Sequence, residues 1–587
     1  MKSLLKYSLV AVFAVAIVAL PGKARLIAAE ASRPNIIIIM PDDQGYGDHG
    51  VTGNEVFRTP NIDALANGSA SMSDFYVCPV CSPTRASLMT GRYHYRTRVV
   101  DTFKGRSMMD SEEVTIAELL RDAGYATGIF GKWHLGDNFP LRPMDQGFEE
   151  SFIHKGGGLA QPSEPLENDR RYTDPILFRN GEQVQTNGYC TDLYFDAAME
   201  FIDECKEQEK PFFIYLPPNA PHGPFHDVPE ELYQYYKSRD DLASLIKGKR
   251  GQLDQLARIA AMVDNIDQNV GRLDQHLKQN GLFENTLVFF LVDNGPNSSR
   301  YVGPFRGMKT NVHEGGIRSP LFVRWPARLK PGATSDRISA HIDVLPTILE
   351  AAGVDAPDQV QVDGRSLLPL LEEREFAWPD RNLVFQVHRG DSPIPFHHFA
   401  LRNQNWKLVH PTGFSKSQMP DDVPFELYDM TTDQGESQNL AETNPERLAE
   451  LQKAYEAWFD DVSHTRPDNF APPRIVIGAD AEPVSSLSPQ DWRVSDDSGW
   501  GSGGRWLVHV DRAATFDAEI VYREPIGETE VVLQIGDVRK RGDLPAKQSR
   551  IELKSIDLPA GDTAVQVKSL VDGKQRDPYH VILTRVD

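Results

Sequence analysis

Residues 35–45 read Asn-Ile-Ile-Ile-Ile-Met-Pro-Asp-Asp-Gln-Gly: four isoleucines and a methionine, then a proline and two adjacent carboxylates. A β-branched run with no polar alternation predicts a strand buried on both faces, as in the sheet of an α/β protein. The run breaks at Pro41, which puts Asp42 and Asp43 at the strand's carboxyl end, where open α/β sheets gather ligands. Two neighbouring carboxylates there are costly unless a cation neutralises them, whereas in a solvated turn they need no partner. Residues 285–295, Asn-Thr-Leu-Val-Phe-Phe-Leu-Val-Asp-Asn-Gly, repeat the pattern and end on Asp293 and Asn294. The four side chains make an all-oxygen set, which suits Ca²⁺ or Mg²⁺ better than zinc.

Between these two strands lies the segment 78–91, Cys-Pro-Val-Cys-Ser-Pro-Thr-Arg-Ala-Ser-Leu-Met-Thr-Gly. Its CxxC is open to three readings: a redox pair, half of a zinc site, or buried structural cysteine. The other cysteines, Cys190 and Cys205, are too far apart to supply a second close-spaced pair. Cys205 shares an apolar helical face with Tyr194, Ala198, Phe201 and Ile202, a buried and inert setting.

Cys81-Ser-Pro83-Thr-Arg85, followed by an apolar pair and Thr90-Gly91, resembles the Cys-x-Pro-x-Arg signature of the type I sulfatases. Residues 124–134, Gly-Tyr-Ala-Thr-Gly-Ile-Phe-Gly-Lys-Trp-His, are similar to that family's second signature, a strand delivering Lys132 and His134 to a loop. The turn Pro221-His222-Gly-Pro-Phe225 and the run Gly307-Met-Lys309 through Glu314-Gly-Gly-Ile-Arg318-Ser-Pro320 resemble two more of its motifs. The resemblance implies an alkaline-phosphatase-like α/β fold: a large mixed sheet flanked by helices, with a small antiparallel C-terminal subdomain. It implies that Cys81 is converted to formylglycine by a formylglycine-generating or anaerobic sulfatase-maturating enzyme. It also implies a metal, usually calcium, held by Asp42, Asp43, the residue at 81, Asp293 and Asn294.

The implied chemistry is hydrolysis of a sulfate ester. Arg85 and Lys132 hold the hydrated aldehyde, and Lys132 and Lys309 with the metal stabilise the sulfuryl oxygens. His222, with Lys309, serves the leaving oxygen, and His134 takes the proton of the second hydroxyl as sulfate departs. Glu314 and Arg318 read as a structural ion pair. The nearest rival is a phosphodiesterase or phosphonate monoester hydrolase of the same superfamily; a carbohydrate-binding protein with a retired catalytic head is a more distant one.

The flanks set the organisation. Residues 1–31 have a basic start, an apolar core ending at Pro21-Gly22 and small residues after it, the form of a signal peptide rather than a membrane anchor. Export to the periplasm or the exterior is therefore expected. The 587 residues carry a formal charge of −22, which disfavours nucleic acid or anionic membrane as partners and requires any anion site to be locally basic. Thr115-x-x-Glu118 has capping-box form, and Ile259 through Leu277 keep a helical rhythm. Residues 156–187 read as a long irregular loop, in sulfatases a place for substrate-pocket walls. The expected division is a catalytic domain over 32–380, a subdomain over 381–462, a linker over 463–474 and an accessory β-sandwich over 475–587. At residues 433–436, Asp-Gln-Gly-Glu stands where sulfatases usually show Asp-Pro-x-Glu, a departure at a turn. Trp492, Trp500 and Trp506 are either core or a platform for sugar rings. The substrate suggested is a sulfated polysaccharide or smaller sulfate ester.

Overall fold

A computed structural model describes residues 33–247, 252–494 and 499–586. The expected signal segment, 1–31, lies outside the described residues, and among those described no helix is long and apolar enough to cross a membrane. The isoleucine run forms the strand Asn35–Ile39, and its alternate side chains enter two different cores. Ile37 and Ile39 pack with the helices Cys190–Glu207 and Leu253–Gln279. Ile36, Ile38 and Met40 pack with Cys81–Thr90, Ile116–Asp122 and Val344–Ala352 on the other side. Each isoleucine is at most 1% exposed, and full burial of such a side chain stabilises by roughly 1.5–3 kcal/mol.

This strand lies near the middle of a ten-stranded mixed sheet. Thr286–Phe290, Asn35–Ile39, Phe212–Leu216, Ala126–Lys132 and Glu150–His154 run parallel, in that spatial order. Phe322–Arg324 joins one side antiparallel and Ile176–Arg179 the other. Five parallel strands carry their carboxyl ends to one edge, and the loops leaving those ends hold the residues discussed below. The capping box forms as read, with Glu118 N donating to Thr115 Oγ1 at 3.1 Å and Thr115 N to Glu118 Oε2 at 2.8 Å.

One expectation is corrected within this sheet. The segment 156–187 is not irregular throughout: Ile176–Arg179 and Glu182–Gln185 form a hairpin that extends the sheet. Its turn is Asn180-Gly181, both with positive φ (51° and 90°), the pair that two-residue hairpins favour.

A four-stranded antiparallel sheet follows, Leu383–Gln386, Phe399–Arg402, Trp406–His410 and Glu426–Asp429, covered by the helix Pro445–Ser463 through Leu451 and Tyr455. Residues 463–474 lie against the catalytic unit: Arg466 pairs with Asp110 and Glu113, and Phe470 packs edge-on against Tyr95. Beyond them, two sheets face each other over one apolar core. Trp492 and Trp506 belong to that core at 2% and 1% exposure, with indole N–H groups donating to the carbonyls of Trp500 (2.9 Å) and Ser488 (2.7 Å). Neither ring is available to a sugar, and Trp500 is edge-on to Phe103 of the catalytic unit at 5.2 Å. For Trp492 and Trp506 the sugar-platform reading therefore gives way to the core reading, whereas Trp500 is half-buried outside that core. Met108 and Leu141 of the catalytic unit enter the same core, so the sandwich is fused to it by packing.

Candidate active site

Cys81 is the first residue of the helix Cys81–Thr90. Thr84, one turn on, ties this end down: its Oγ1 donates to the Asp293 carbonyl at 2.7 Å and accepts from Cys78 N at 3.0 Å. Arg85 is fully buried and joins three strand ends. Its NH2 donates to Asp293 Oδ2 at 2.8 Å, and its NH1 to the Lys132 carbonyl and Tyr215 hydroxyl, each at 3.1 Å. Asp42 follows the isoleucine strand and accepts from Lys132 Nζ at 2.5 Å. Asp43 takes Lys309 on Oδ1, with Asn294 Nδ2 at 2.9 Å, while Asn297 Nδ2 lies 3.2 Å and His222 Nε2 3.8 Å from its Oδ2. Asp43 and His134 both have left-handed backbone (φ 64° and 61°), a conformation that costs roughly 1–3 kcal/mol outside glycine and clusters at working sites.

Asp42, Cys81 and Asp293 each bring a ligand atom within 4.8 Å of the others, all three buried. Asp42 Oδ1 and Asn294 Oδ1 are also buried and have no hydrogen-bond partner. Unpartnered oxygens beside clustered carboxylates fit a hard divalent cation. Burial and the neighbouring Asp42 push Asp293 up to about 7, against the pull of Arg85 and Lys132. Burial also raises Asp43, but Lys309 and His222 outweigh it and hold the carboxyl below the usual carboxylate range.

Cys81 does not look like a working thiol. Burial pushes its pKa up, Lys132 and Lys309 notwithstanding, whereas reactive thiolates are depressed. All four cysteines are free, and Cys78 Sγ points to His341 Nε2 at 3.5 Å, so the CxxC is neither a disulfide nor a shared metal clip.

The histidines are oriented by carbonyls. His134 Nε2 lies 2.8 Å from the Thr102 carbonyl, which only accepts; Nε2 therefore carries the proton and Nδ1, buried and unpartnered, offers a lone pair. Burial, with Lys132 and Arg85, drives His134 well below its ordinary value, so the ring is neutral. His222 Nδ1 likewise faces the Gly223 carbonyl at 2.7 Å, leaving Nε2 toward Asp43. Gly157 and Gly158 lie over both rings: a Cβ at 157 would fall 2.5 Å from the His134 imidazole, and one at 158 would fall 3.0 Å from His222 Nδ1.

All the residues singled out in the sequence thus surround one position: Asp42, Asp43, Cys81, Arg85, Lys132, His134, His222, Asp293, Asn294 and Lys309. Glu314 and Arg318 lie apart, paired at 2.9 Å, with Lys407 Nζ 2.9 Å from the same carboxylate. Two neighbours were not foreseen. Asn297 follows the Asp293-Asn294 pair on one loop. Gln490 comes from the C-terminal sandwich, 1% exposed, its Nε2 donating to the Thr102 carbonyl at 3.0 Å and lying 3.4 Å from His134 Nε2.

Residues 34–354 match the Sulfatase family model, and residues 307–463 match that of the N-sulphoglucosamine sulphohydrolase C-terminal region. The chain is 33% identical over 388 residues to the N-acetylgalactosamine-6-sulfatase of Canis lupus familiaris, spanning 61% of this chain and 69% of that one. It is 32% identical over 467 residues to arylsulfatase A of Homo sapiens, spanning 72% and 87%. The solved structure of Ps i-CgsB is similar with a TM-score of 0.63 and 28% identity, over 73% of this chain and 92% of its own; it is also known in complex with k-i-k-neocarrahexaose. Matched over more than half its length by the family model, and one-third identical to a relative of which it spans more than two thirds, the chain belongs to the type I sulfatases, and is thereby a sulfuric ester hydrolase.

Proposed function

We propose that this chain is an exported carbohydrate sulfatase working through formylglycine at position 81 and one divalent cation, Ca²⁺ before Mg²⁺. The observation that carries this reading is the convergence of Asp42, Asp293 and the side chain at 81 within 4.8 Å, ringed by three cations, the buried Arg85 and Lys132 and the half-buried Lys309. The carbohydrate part is supported by relatives that act on an N-acetylgalactosamine sulfate or bind a neocarrahexaose. Asp42, Asp43, Asp293 and Asn294 would hold the ion, which supplies charge neutralisation and an acidified oxygen at position 81. Formylglycine would supply a geminal hydroxyl pair, one hydroxyl to attack sulfur and the other to let sulfate leave.

The chain's own residues do the rest. Arg85 and Lys132 fix the side chain at 81, and Lys132 and Lys309 face the three sulfuryl oxygens as a preorganised clamp. Lys309 keeps its proton, because Asp43 and the site's other acids more than offset burial. With His222 it serves the departing oxygen. His134 Nδ1, the one free lone pair on that ring, takes the proton that must leave the second hydroxyl. The Gly157-Gly158 backbone packs against both imidazoles, where a Cβ at either position would crowd the ring.

The test is sulfate release from a panel of sulfated oligosaccharides by protein matured in a formylglycine-making host, beside matched phosphate and phosphonate esters. Sulfate esters should be favoured. Chelation should abolish activity, and Ca²⁺ should restore it better than Mg²⁺. A peptide mass at position 81 that shows unmodified cysteine in active enzyme would contradict the proposal. Gln490→Ala should lower kcat about 10-fold with KM little changed, because the Thr102 carbonyl that orients His134 loses its second donor. Steady-state kinetics on the best substrate check this.

A further inference from the structure

A cleft of about 280 Å³ opens where the catalytic unit, the four-stranded subdomain and the C-terminal sandwich meet. Its charged lining is Asp101, Lys104 and Arg106 from the first, Arg389 and Asp391 from the second and Arg493 from the third. Among the described lining residues, four cations stand against two carboxylates, within a chain whose total is −22.

Both carboxylates are already engaged. Asp101 Oδ1 accepts from Arg389 NH1 at 2.5 Å, and Asp391 pairs with Arg493. Arg106 is left short of acceptors. It is 3% exposed, and its NH1 donates to the Phe470 carbonyl at 3.1 Å, but its Nε and NH2 have no hydrogen-bond partner. A guanidinium carries five N–H donors, and a buried charged group with donors unmet is destabilised until an acceptor arrives. Burial and the nearby Arg493 accordingly press Arg106 down to about 9.

The cleft adjoins the reacting centre through one loop. Arg389 NH1 also donates to Thr102 Oγ1 at 3.1 Å, and the Thr102 carbonyl is the acceptor that orients His134. The Arg389 guanidinium lies over Phe414 at 4.5 Å, and Phe414 packs against Cys78 and Val80, just before position 81. Thr102 alone thus separates the Arg389 side chain of the cleft from the His134 ring.

We propose that this cleft is a second anion subsite, which holds a sulfate or carboxylate of the same carbohydrate chain whose ester is being cleaved. The proposal rests on the carbohydrate reading above. Planar guanidinium forks match either oxyanion in two-point fashion, so sulfate and uronate share the recognition chemistry.

Full-length matured enzyme should be assayed on an oligosaccharide with one sulfate and on two analogues bearing, on the next sugar, a second sulfate or a uronate. Wild type should show kcat/KM at least about 10-fold higher on one dianionic substrate, about 1.4 kcal/mol, and the preferred analogue identifies the oxyanion. Arg106→Gln should remove that advantage through KM and leave the monosulfated substrate within about 2-fold; the advantage should also shrink with added salt. Arg493→Gln should repeat the loss, so that a folding failure in one variant does not hide the result. Equal kcat/KM on mono- and dianionic substrates, or a loss in the variants shared by the monosulfated one, overturns the cleft proposal and leaves the carbohydrate reading standing. Failure of wild type to release sulfate from any carbohydrate overturns both.

Discussion

Cys81→Ser abolishes turnover: steady sulfate release should fall by at least about 10⁴-fold, roughly 5 kcal/mol of transition-state stabilisation. Serine is close in size and sits at the same helix start, so the carboxylates, Arg85 and Lys132 keep their places around it. What it lacks is chemistry. One hydroxyl can attack sulfur, but no second hydroxyl remains to break the resulting ester by reforming a carbonyl. The side chain should therefore react once and stop. Sulfate measured by ion chromatography gives the turnover, and the intact mass of the protein after incubation shows whether one sulfuryl group stays behind. Cys81→Ala sets the baseline, since it can do neither step. Repeated turnover by the serine variant well above that baseline would show that a plain hydroxyl suffices, and formylglycine would lose its role. Unmodified Cys81 should be as inert as alanine, because burial keeps its thiol protonated.

Lys132→Met should lower kcat/KM by about 10²–10³-fold, roughly 3–4 kcal/mol, the range for removing one preorganised stabilising donor. Lys132 is fully buried and holds Asp42 at 2.5 Å, so the substitution acts twice. On the proposed function it removes a positive charge from the sulfuryl oxygens, and it leaves the Asp42 carboxylate with only the more distant Arg85, at 3.9 Å, as an ion-pair partner. Breaking a buried pair on one side typically costs about 3–5 kcal/mol of stability. Part of that cost should be recovered when a divalent cation binds, so the variant's thermal unfolding should depend on added Ca²⁺ more steeply than the wild type's. Kinetics and melting curves at several Ca²⁺ concentrations separate the two effects. Near-wild-type kcat/KM in a folded Lys132→Met enzyme would remove Lys132 from the clamp.

The central strands and the residues around position 81 were readable because their signals are local. Four isoleucines in a row can satisfy a sheet only when both faces are covered, and Ile36 to Ile39 do enter two cores. Acids at strand ends and the motifs around Cys81, Lys132, His222 and Lys309 sit within a few residues of the elements that aim them. The hairpin at Asn180-Gly181 carried a readable turn signal, but its first strand is a short apolar run, Ile-Leu-Phe, and its second, Glu-Gln-Val-Gln, is polar with only Val184 half-buried, so neither shows an extended alternation. Trp506 was readable too: Trp506, Val508 and Val510 alternate along Arg505–Val510 and all face the core. Gln490 was not. Its place beside His134 spans 356 residues of chain and arises from how two domains dock, which no local pattern encodes. The basic cleft is of the same kind, since its charges come from three separate regions of the sequence.

The shared core of Met108 and Leu141 with the sandwich has an evolutionary consequence. A module hung on a tether can be lost, duplicated or borrowed by recombination with little effect on its host. This one cannot, because its hydrophobic interior is completed by two residues of the head and its Gln490 reaches the head's own histidine loop. Chimeras that exchange the tail between homologues should succeed only when the head residues near 101–108 and 141 travel with it, so the inherited unit is the tail together with its landing site.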